Sequence, residues 1–355
     1  MKIAVVNTGS SSIKCSLYDS NKMTLLWEDK KEVFDNIHKT LSTLWETIGP
    51  IDAVGHRVVH GGERFFKPTV ITSAVKKDIH HLAELAPLHN PLNLEGIEAM
   101  EKIYPDVPQV AVFDTAFHHT MPQAQQTYPI PEGWRSQGIR RFGFHGISHR
   151  YCSQKAAEFL DDTSLKLINC HLGNGSSLAA INSGKSVDTT MGFTPLEGLM
   201  MGTRSGSIDP GILLYLLDKN YNHKELDRTL NFESGLKGIT GTEDLRQVLK
   251  EIDKPLNTLG YHMFILSLKK NILSMMASLN PIDLIVFTAG IGENAPKVRA
   301  DSCAGLSFLG ISLDPSKNEN GQEDRIISSD QSTIKVMVIH TKENKAIAED
   351  VFLTT

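Results

Sequence analysis

Short apolar runs alternate with longer stretches whose apolar positions recur at helical spacing, the pattern of an α/β fold. Residues 3–6 read as a compact strand running into the turn-rich string Asn7-Thr8-Gly9-Ser10-Ser11-Ser12. Residues 13–18 and 23–27 read as two further strands joined by a polar turn at 19–22. Thr72 or Ser73 is expected to cap a helix whose Val75, Ile79, Leu82 and Leu85 share one face. Residues 110–113 make another apolar strand, with Asp114 at its C-terminal end. Ser148 is expected to open a helix through residue 160, and Asp209-Pro210 another, with proline at the first helical position. Residues 254–279 read as the longest helix and 343–353 as a terminal one.

The pattern repeats. Residues 167–171 form an apolar strand that enters Leu172-Gly173-Asn174-Gly175-Ser176-Ser177. A strand at 178–181, a turn at 182–185 and a strand at 186–189 come next. Laying Gly9-Ser10-Ser11 over Gly175-Ser176-Ser177 gives two copies of strand, Gly/Ser turn, strand, turn, strand, offset by 166 residues. A repeat of that length is no solenoid period; it predicts two similar domains, each offering a polar hairpin able to hold one side of a polyphosphate.

Composition narrows the class. The 355 residues suit two domains, and 40% hydrophobic with 22% charged residues is ordinary for a globular chain. A net charge of −5 with no long basic run argues against a nucleic-acid partner. The scattered Cys15, Cys152, Cys170 and Cys303 form no CxxC pair and read as thiols of a reducing compartment. The apolar run at the N-terminus is too short for a signal peptide, and no run approaches a membrane span, so a cytoplasmic chain with no membrane partner is expected.

Several segments carry candidate chemistry. Gly9 permits backbone angles that expose amides, the neighbouring serines add hydroxyls, and Lys14 adds a compact charge, although a plain polar hairpin explains the string as well. Gly184-Lys185-Ser186 lacks the earlier glycine of a Walker loop and reads as a hairpin turn. Gly173-x-Gly175 and Gly290-x-Gly292 lack the third glycine of a dinucleotide fingerprint. Arg57, in an apolar run beside Gly61-Gly62, suits a carboxylate or phosphate, or pairs with Glu63. Asp114 stands where open α/β sheets place ligand contacts, or caps a helix after the strand. His145 and His149 stand four apart without an HExxH pattern, so no zinc pair is expected, and Ser148 reads as a cap. Residues 191–206, with four glycines and a proline, read as a shaped loop presenting Arg204 to a transferring phosphoryl group, or pairing it with Glu197 or Asp209. Residues 285–288 form a strand that runs into Ala289-Gly290-Ile291-Gly292-Glu293-Asn294, whose glycines would let a flat base approach.

Together the strings NTGSSSIK, GHRVVHGGE, LAPLHNP, VAVFDTAFH, GIRRFGFHGISHRY, CHLGNGSS, SVDTTMGFTPLEGLMMGTRSG, FTAGIGEN and FLGISLD span nearly the whole chain. They resemble the acetate and propionate kinase family of the actin, hexokinase and heat-shock ATPase superfamily. The resemblance implies two actin-like (ribonuclease H-like) domains with a cleft between them, residues 1–117 plus 345–355 on the acid side and 118–344 on the nucleotide side. It implies Mg²⁺ (or Mn²⁺), ATP/ADP as co-substrate, a small carboxylate partner and a homodimer. Residue by residue, Asn7 and Glu343 match positions near the metal, and Ser10, Ser12 and Lys14 match a phosphate loop. Arg57 matches the carboxylate grip, with Val59, Leu88, Phe144 and Pro195 around the alkyl end. Asp114, His145 and Arg204 match the catalytic set. His171, Leu172, Gly173, Asn174 and Gly175 match a second phosphate loop, and Asp244, Leu245, Arg246, Gly290, Ile291, Gly292, Glu293 and Asn294 match the base pocket.

The implied reaction is direct in-line transfer from ATP to acetate, giving acetyl phosphate and ADP. Propionate or another short acid is the nearest alternative substrate, and a non-catalytic actin-like nucleotide binder is the alternative of a different class. Three departures from the family pattern stand out: a shorter stretch between Lys14 and His56, Thr341-Lys342-Glu343-Asn344 where Asn-Glu-Glu is usual, and Ser207 where aspartate is common.

Overall fold

The computed structural model describes residues 1–9, 12–32, 36–45 and 48–355. They fall into two compact units: Met1–His119, Phe144–Tyr151 and Lys342–Thr355 form the first, and Thr120–Gly143 with Cys152–Thr341 the second. The chain has the α/β, two-unit fold of the actin-like ATPases.

Six strands build the first unit: β1 Lys2–Thr8, β2 Ser12–Asp19, β3 Thr24–Glu32, β4 Ala53–Val58, β5 Thr69–Val70 and β6 Gln109–Phe113, ordered β3-β2-β1-β4-β6-β5. β1, β4 and β6 run parallel, while β2, β3 and β5 are antiparallel to their neighbours. β1 and β6 carry continuous apolar runs, as strands covered on both faces do, while β4 breaks its run with His56 and Arg57. The helices Asn90–Ile103 and Glu343–Thr354 pack on it. At Gly55 a side chain would meet Ile347 and Val351, each 2.7 Å from an added Cβ, so the glycine lets the C-terminal helix lie close on β4. Asn344 Nδ2 donates to Ser16 Oγ at 2.6 Å and Arg150 pairs with Asp350, which tie that helix down at both ends.

The second unit repeats the plan with β7 Lys166–Leu172, β8 Ser176–Asn182, β9 Lys185–Thr189, β10 Leu284–Thr288, β11 Arg325–Ile326 and β12 Lys335–Val338. Its order, β9-β8-β7-β10-β12-β11, is the first sheet's order with six added to every number. The helix Pro255–Met276 covers it with Phe264, Leu268 and Ile272.

The repeat holds at a different offset from the one that matching the Gly/Ser turns predicts. Ile3 opposes the first residue of β4, Ala53, and Leu167 opposes the first residue of β10, Leu284. The structural offset from position 3 to position 167 is therefore 164 residues, not 166. The second turn, Gly173–Gly175, is also tighter: Leu172 pairs with Ser176, whereas Thr8 pairs with Ile13. Asn7 thus corresponds to His171 and Gly9 to Gly173, and matching Gly9 to Gly175 slipped the register. Gly184, with Ser183, makes the hairpin turn expected of it, both residues at positive φ.

Element ends differ modestly. The helix assigned to Ser148 begins two residues earlier, Gly146–Leu160, and Ser148 is fully buried within it, so it is no cap. The string that follows β10 forms a short helix, Ala289–Asn294. The other helix expectations stand: Thr72 caps Ser73–His81, Asp209 caps Pro210–Asp218, and Glu343–Thr354 closes the chain. Among the described residues no helix is long and apolar enough to cross a membrane.

Candidate active site

In the first unit the parallel strands β1, β4 and β6 bring their C-terminal ends together, the place where open α/β sheets carry ligand groups. Asn7 lies near the end of β1, Arg57 in β4, and Asp114 directly after β6. Arg57 Nε donates to Asp114 Oδ2 at 3.0 Å, and its Nη2 donates to the same oxygen. Nη1 donates to Asn7 Oδ1 at 3.3 Å. Asp114 is 1% exposed, so the carboxylate that Arg57 pairs with is Asp114, not Glu63 as the sequence also allowed. Burial opposes the guanidinium charge, but Asp114 and then Glu343 outweigh it and raise the pKa of Arg57. Three of the five N–H groups of a guanidinium are spent in these bonds, leaving two for a ligand. Glu343 enters through the first turn of the C-terminal helix.

Asp114 also anchors the next helix in the unit. Its carbonyl accepts from Gly146 N at 2.8 Å, and any side chain at Gly146 would collide with that carbonyl. The helix Gly146–Leu160 therefore starts against the backbone of Asp114. His145, just before it, is held at φ 56°, a left-handed conformation that costs a non-glycine residue about 1–3 kcal/mol. Phe144 is buried; its carbonyl accepts from His118 Nε2 at 3.0 Å, and its ring meets the edge of His60 at 5.6 Å. Burial pushes the pKa values of His56, His60 and His118 down to about 4, so all three are neutral at pH 7.

Val59 is buried beside this group, whereas Leu88 is 39% exposed. Ser12 accepts the Gly9 amide through its carbonyl at 2.8 Å. Lys14 points outward on β2 and pairs with Glu28 of β3 at 2.6 Å. Ser10 lies outside the described residues.

Two residues that sequence pattern did not single out belong here. Asn90 and Asn93, three apart on the helix Asn90–Ile103, are buried and bonded to the backbone at His60, Val59 and Thr8. The signal available was an amide pair at one-turn spacing, on a face that has to be buried.

In the second unit a cavity of about 520 Å³ gathers Gly173, Asn174, Asp244, Leu245, Arg246, Gly290, Ile291 and Asn294. Glu243, Leu249 and Ala295, not foreseen, complete the lining. Asp244 caps the helix Leu245–Lys250 and holds Arg246 through paired bonds of 3.0 and 2.8 Å. Gly290 faces open space. His171, Leu172, Gly175, Gly292 and Glu293 do not line the cavity. Leu172 is a core residue, Gly292 packs on β10, and Glu293 Oε1 accepts from Ala289 N at 2.8 Å and Thr341 N at 3.0 Å.

Residues 190–209 contain no helix or strand, as expected of a shaped loop. Gly202 N donates to Asn174 O at 3.1 Å, and a side chain at Gly202 would overlap Asn174 Oδ1. Arg204, two residues on, is half-buried in the same loop, its carbonyl accepting from Met201 N at 3.1 Å. The two acids that the sequence offered to Arg204 have other tasks: Glu197 takes Arg141 at 2.6 Å and Tyr128, and Asp209 caps its helix. Pro195 is half-buried in the same loop.

No cluster of three or more His, Cys, Asp or Glu able to hold a metal occurs among the described residues. Asn7 and Glu343 are hard oxygen donors, the kind Mg²⁺ takes one or two of when phosphates and water complete its shell. Both lie around Arg57 in the first unit, so the pair fits a nucleotide-borne Mg²⁺.

A family profile described as the Acetokinase family matches residues 22–349. The acetate kinase of Protochlamydia amoebophila is 49% identical over 387 aligned positions covering 98% of each chain. An alignment longer than the 355 residues means that this relative carries segments the present chain lacks. Among solved structures, a propionate kinase from Francisella tularensis matches with TM-score 0.93 at 38% identity over 100% of both chains. The acetate kinase of Porphyromonas gingivalis matches with TM-score 0.90 at 36% identity over 99% of both.

Proposed function

The chain belongs to the acetokinase family, and from that premise and its two sets of site residues we propose that it is an acetate kinase. The reaction is reversible: an acetate oxygen bonds to the γ-phosphorus of ATP as the bond to the β,γ-bridging oxygen breaks, giving acetyl phosphate and ADP. The observation that carries the reading is the Arg57–Asp114 pair. A half-buried guanidinium locked by one buried carboxylate, with two donors left, is shaped to take a second carboxylate from the substrate.

In this reading Arg57 orients acetate, with Val59, Phe144 and Pro195 at its methyl end. Leu88, being exposed, is the weakest member of that wall. Arg204 and His145 offset charge on the phosphoryl oxygens. Asp114 holds Arg57 rather than moving a proton, since an ionised carboxylate nucleophile has none to lose. The cavity lined by Asn174, Asp244 and Gly290 takes the nucleotide. Lys14, paired to Glu28, must leave that partner to meet phosphate. Asn7 and Glu343 would hold Mg²⁺, which when bound screens phosphate charge.

We further propose a cytoplasmic homodimer. The helix Pro210–Asp218 reads PGILLYLLD yet buries no residue, and Leu214 is 66% exposed. Leu256, Leu259, Leu266 and Leu273, at three- and seven-residue steps, expose a stripe of the helix Pro255–Met276. Helices this apolar are normally covered, and a second copy of the same surface is the simplest cover.

The test is a coupled assay with Mg·ATP and acetate, propionate or butyrate. Turnover with acetate at the highest kcat/KM is expected. Turnover highest with propionate would move the assignment to propionate kinase, and turnover with none would remove the kinase reading.

A further inference from the structure

The registered pairing of β1 with β4 ends at Val6 opposite His56, before either strand reaches its ligand-side end. Thr8 and Val59 lie beyond that last rung. Asn93 joins them instead: Oδ1 accepts from Val59 N at 3.0 Å, and Nδ2 donates to Thr8 O at 2.9 Å. The side-chain amide stands in for a peptide rung where the strands part. It is 2% exposed, so water is poorly placed to take over either bond.

Neighbouring positions on the same helix face reinforce it. Asn90 brackets the next peptide, accepting from His60 N and donating to His60 O, both at 3.1 Å. At Gly96 an added Cβ would lie 2.6 Å from Thr8 Oγ1, so the glycine lets the helix come close enough for Asn93 to reach. Thr8 leads into Gly9 and the phosphate-side turn, and Val59 is the wall assigned to the acid.

We propose that Asn93 is a positioning residue that fixes the separation between the phosphate-side end of β1 and the acid wall at Val59, and so sets acid affinity and acyl selectivity. It rests on the carboxylate-kinase reading. Neither bond of Asn93 involves the nucleotide cavity, which is built from residues 173–295 of the second unit.

The experiment compares the full-length protein with Asn93→Ala and Asn93→Asp. Asn93→Asp keeps an acceptor for Val59 N but loses the donor to Thr8 O, and it guards against a failure of the alanine variant to fold. In Asn93→Ala the acetate KM should rise about 10-fold or more, and the acetate-over-propionate preference should fall about threefold. The Kd for ADP should stay within about twofold, and Asn93→Asp should fall between the two proteins. Amide exchange at Val59 should quicken about 10-fold or more in Asn93→Ala. An unchanged acetate KM, a loss confined to kcat, or unchanged exchange at Val59 would overturn the proposal. A wild-type protein that phosphorylates no short acid would overturn the functional reading, and the exchange measurement would then still decide whether Asn93 is the clamp.

Discussion

Arg57 and Asp114 meet across two adjacent parallel strands: Arg57 opposes Val112 in the β4–β6 register, and Asp114 comes one residue after the end of β6. The side chain of Arg57 therefore points along the sheet's ligand edge already bound to its counter-charge. Removing one partner of a buried pair leaves the other uncompensated and costs about 3–5 kcal/mol. Asp114→Ala should lose stability of that order in urea unfolding. Asp114→Asn, which keeps an acceptor, should lose less stability while kcat/KM for acetate drops about 10²-fold or more. Equal losses in the two variants would argue against a role for the Asp114 charge.

Arg204→Ala should lower turnover by about 10²-fold or more while ADP binding is retained, because the interaction strengthens as phosphoryl charge develops. Near-normal turnover would take Arg204 out of the mechanism.

Gly202→Ala should weaken ADP binding by about 10-fold, since the new methyl overlaps Asn174 Oδ1 in the cavity wall. Gly290→Ala provides the contrast: beyond its own helix its methyl meets nothing within 4 Å, so folding should be undisturbed and any change in ADP affinity, read by calorimetry, reports contact with the nucleotide.

Acid should destabilise the protein through its buried histidines. The pKa values of His56, His60 and His118 are lowered to about 4 from 6.5, so between those values the unfolded chain binds more protons than the folded one. Stability should be level above about pH 7 and fall as pH drops from 6.5 toward 4, by up to about 3 kcal/mol per histidine. Burial raises the pKa values of Asp188 and Asp350, which work in the opposite sense and blunt the slope. Urea midpoints across this range check the sign; a midpoint rising on acidification would refute it.

Leu214→Asp should convert the protein to a monomer in sedimentation, with Tm of the isolated chain little changed, because Leu214 is exposed and its helix buries no residue. A wild-type monomer at micromolar concentration would end the dimer proposal.

Much of this was readable from local pattern. The strands around Asn7, Asp114 and His171 are apolar runs, the caps at Thr72 and Asp209 are local hydrogen bonds, and the glycine-rich loop at 191–206 declares itself by what it cannot form. The repeat was visible as strand, turn, strand, but a Gly/Ser count could not set its register, because only pairing to β4 and β10 shows which residues correspond.

What the sequence determined by itself was the kind of chemistry and the elements that carry it, since both come from residue type and near neighbours. Which carboxylate holds Arg57, why Lys14 sits with Glu28, how Gly146 seats its helix on the carbonyl of Asp114, and how Asn93 replaces a missing rung were settled only in three dimensions. Each of those contacts joins residues brought together by strand order and by helices laid across the sheet. An Asn three places into a helix looks like any other until the strands beneath it part.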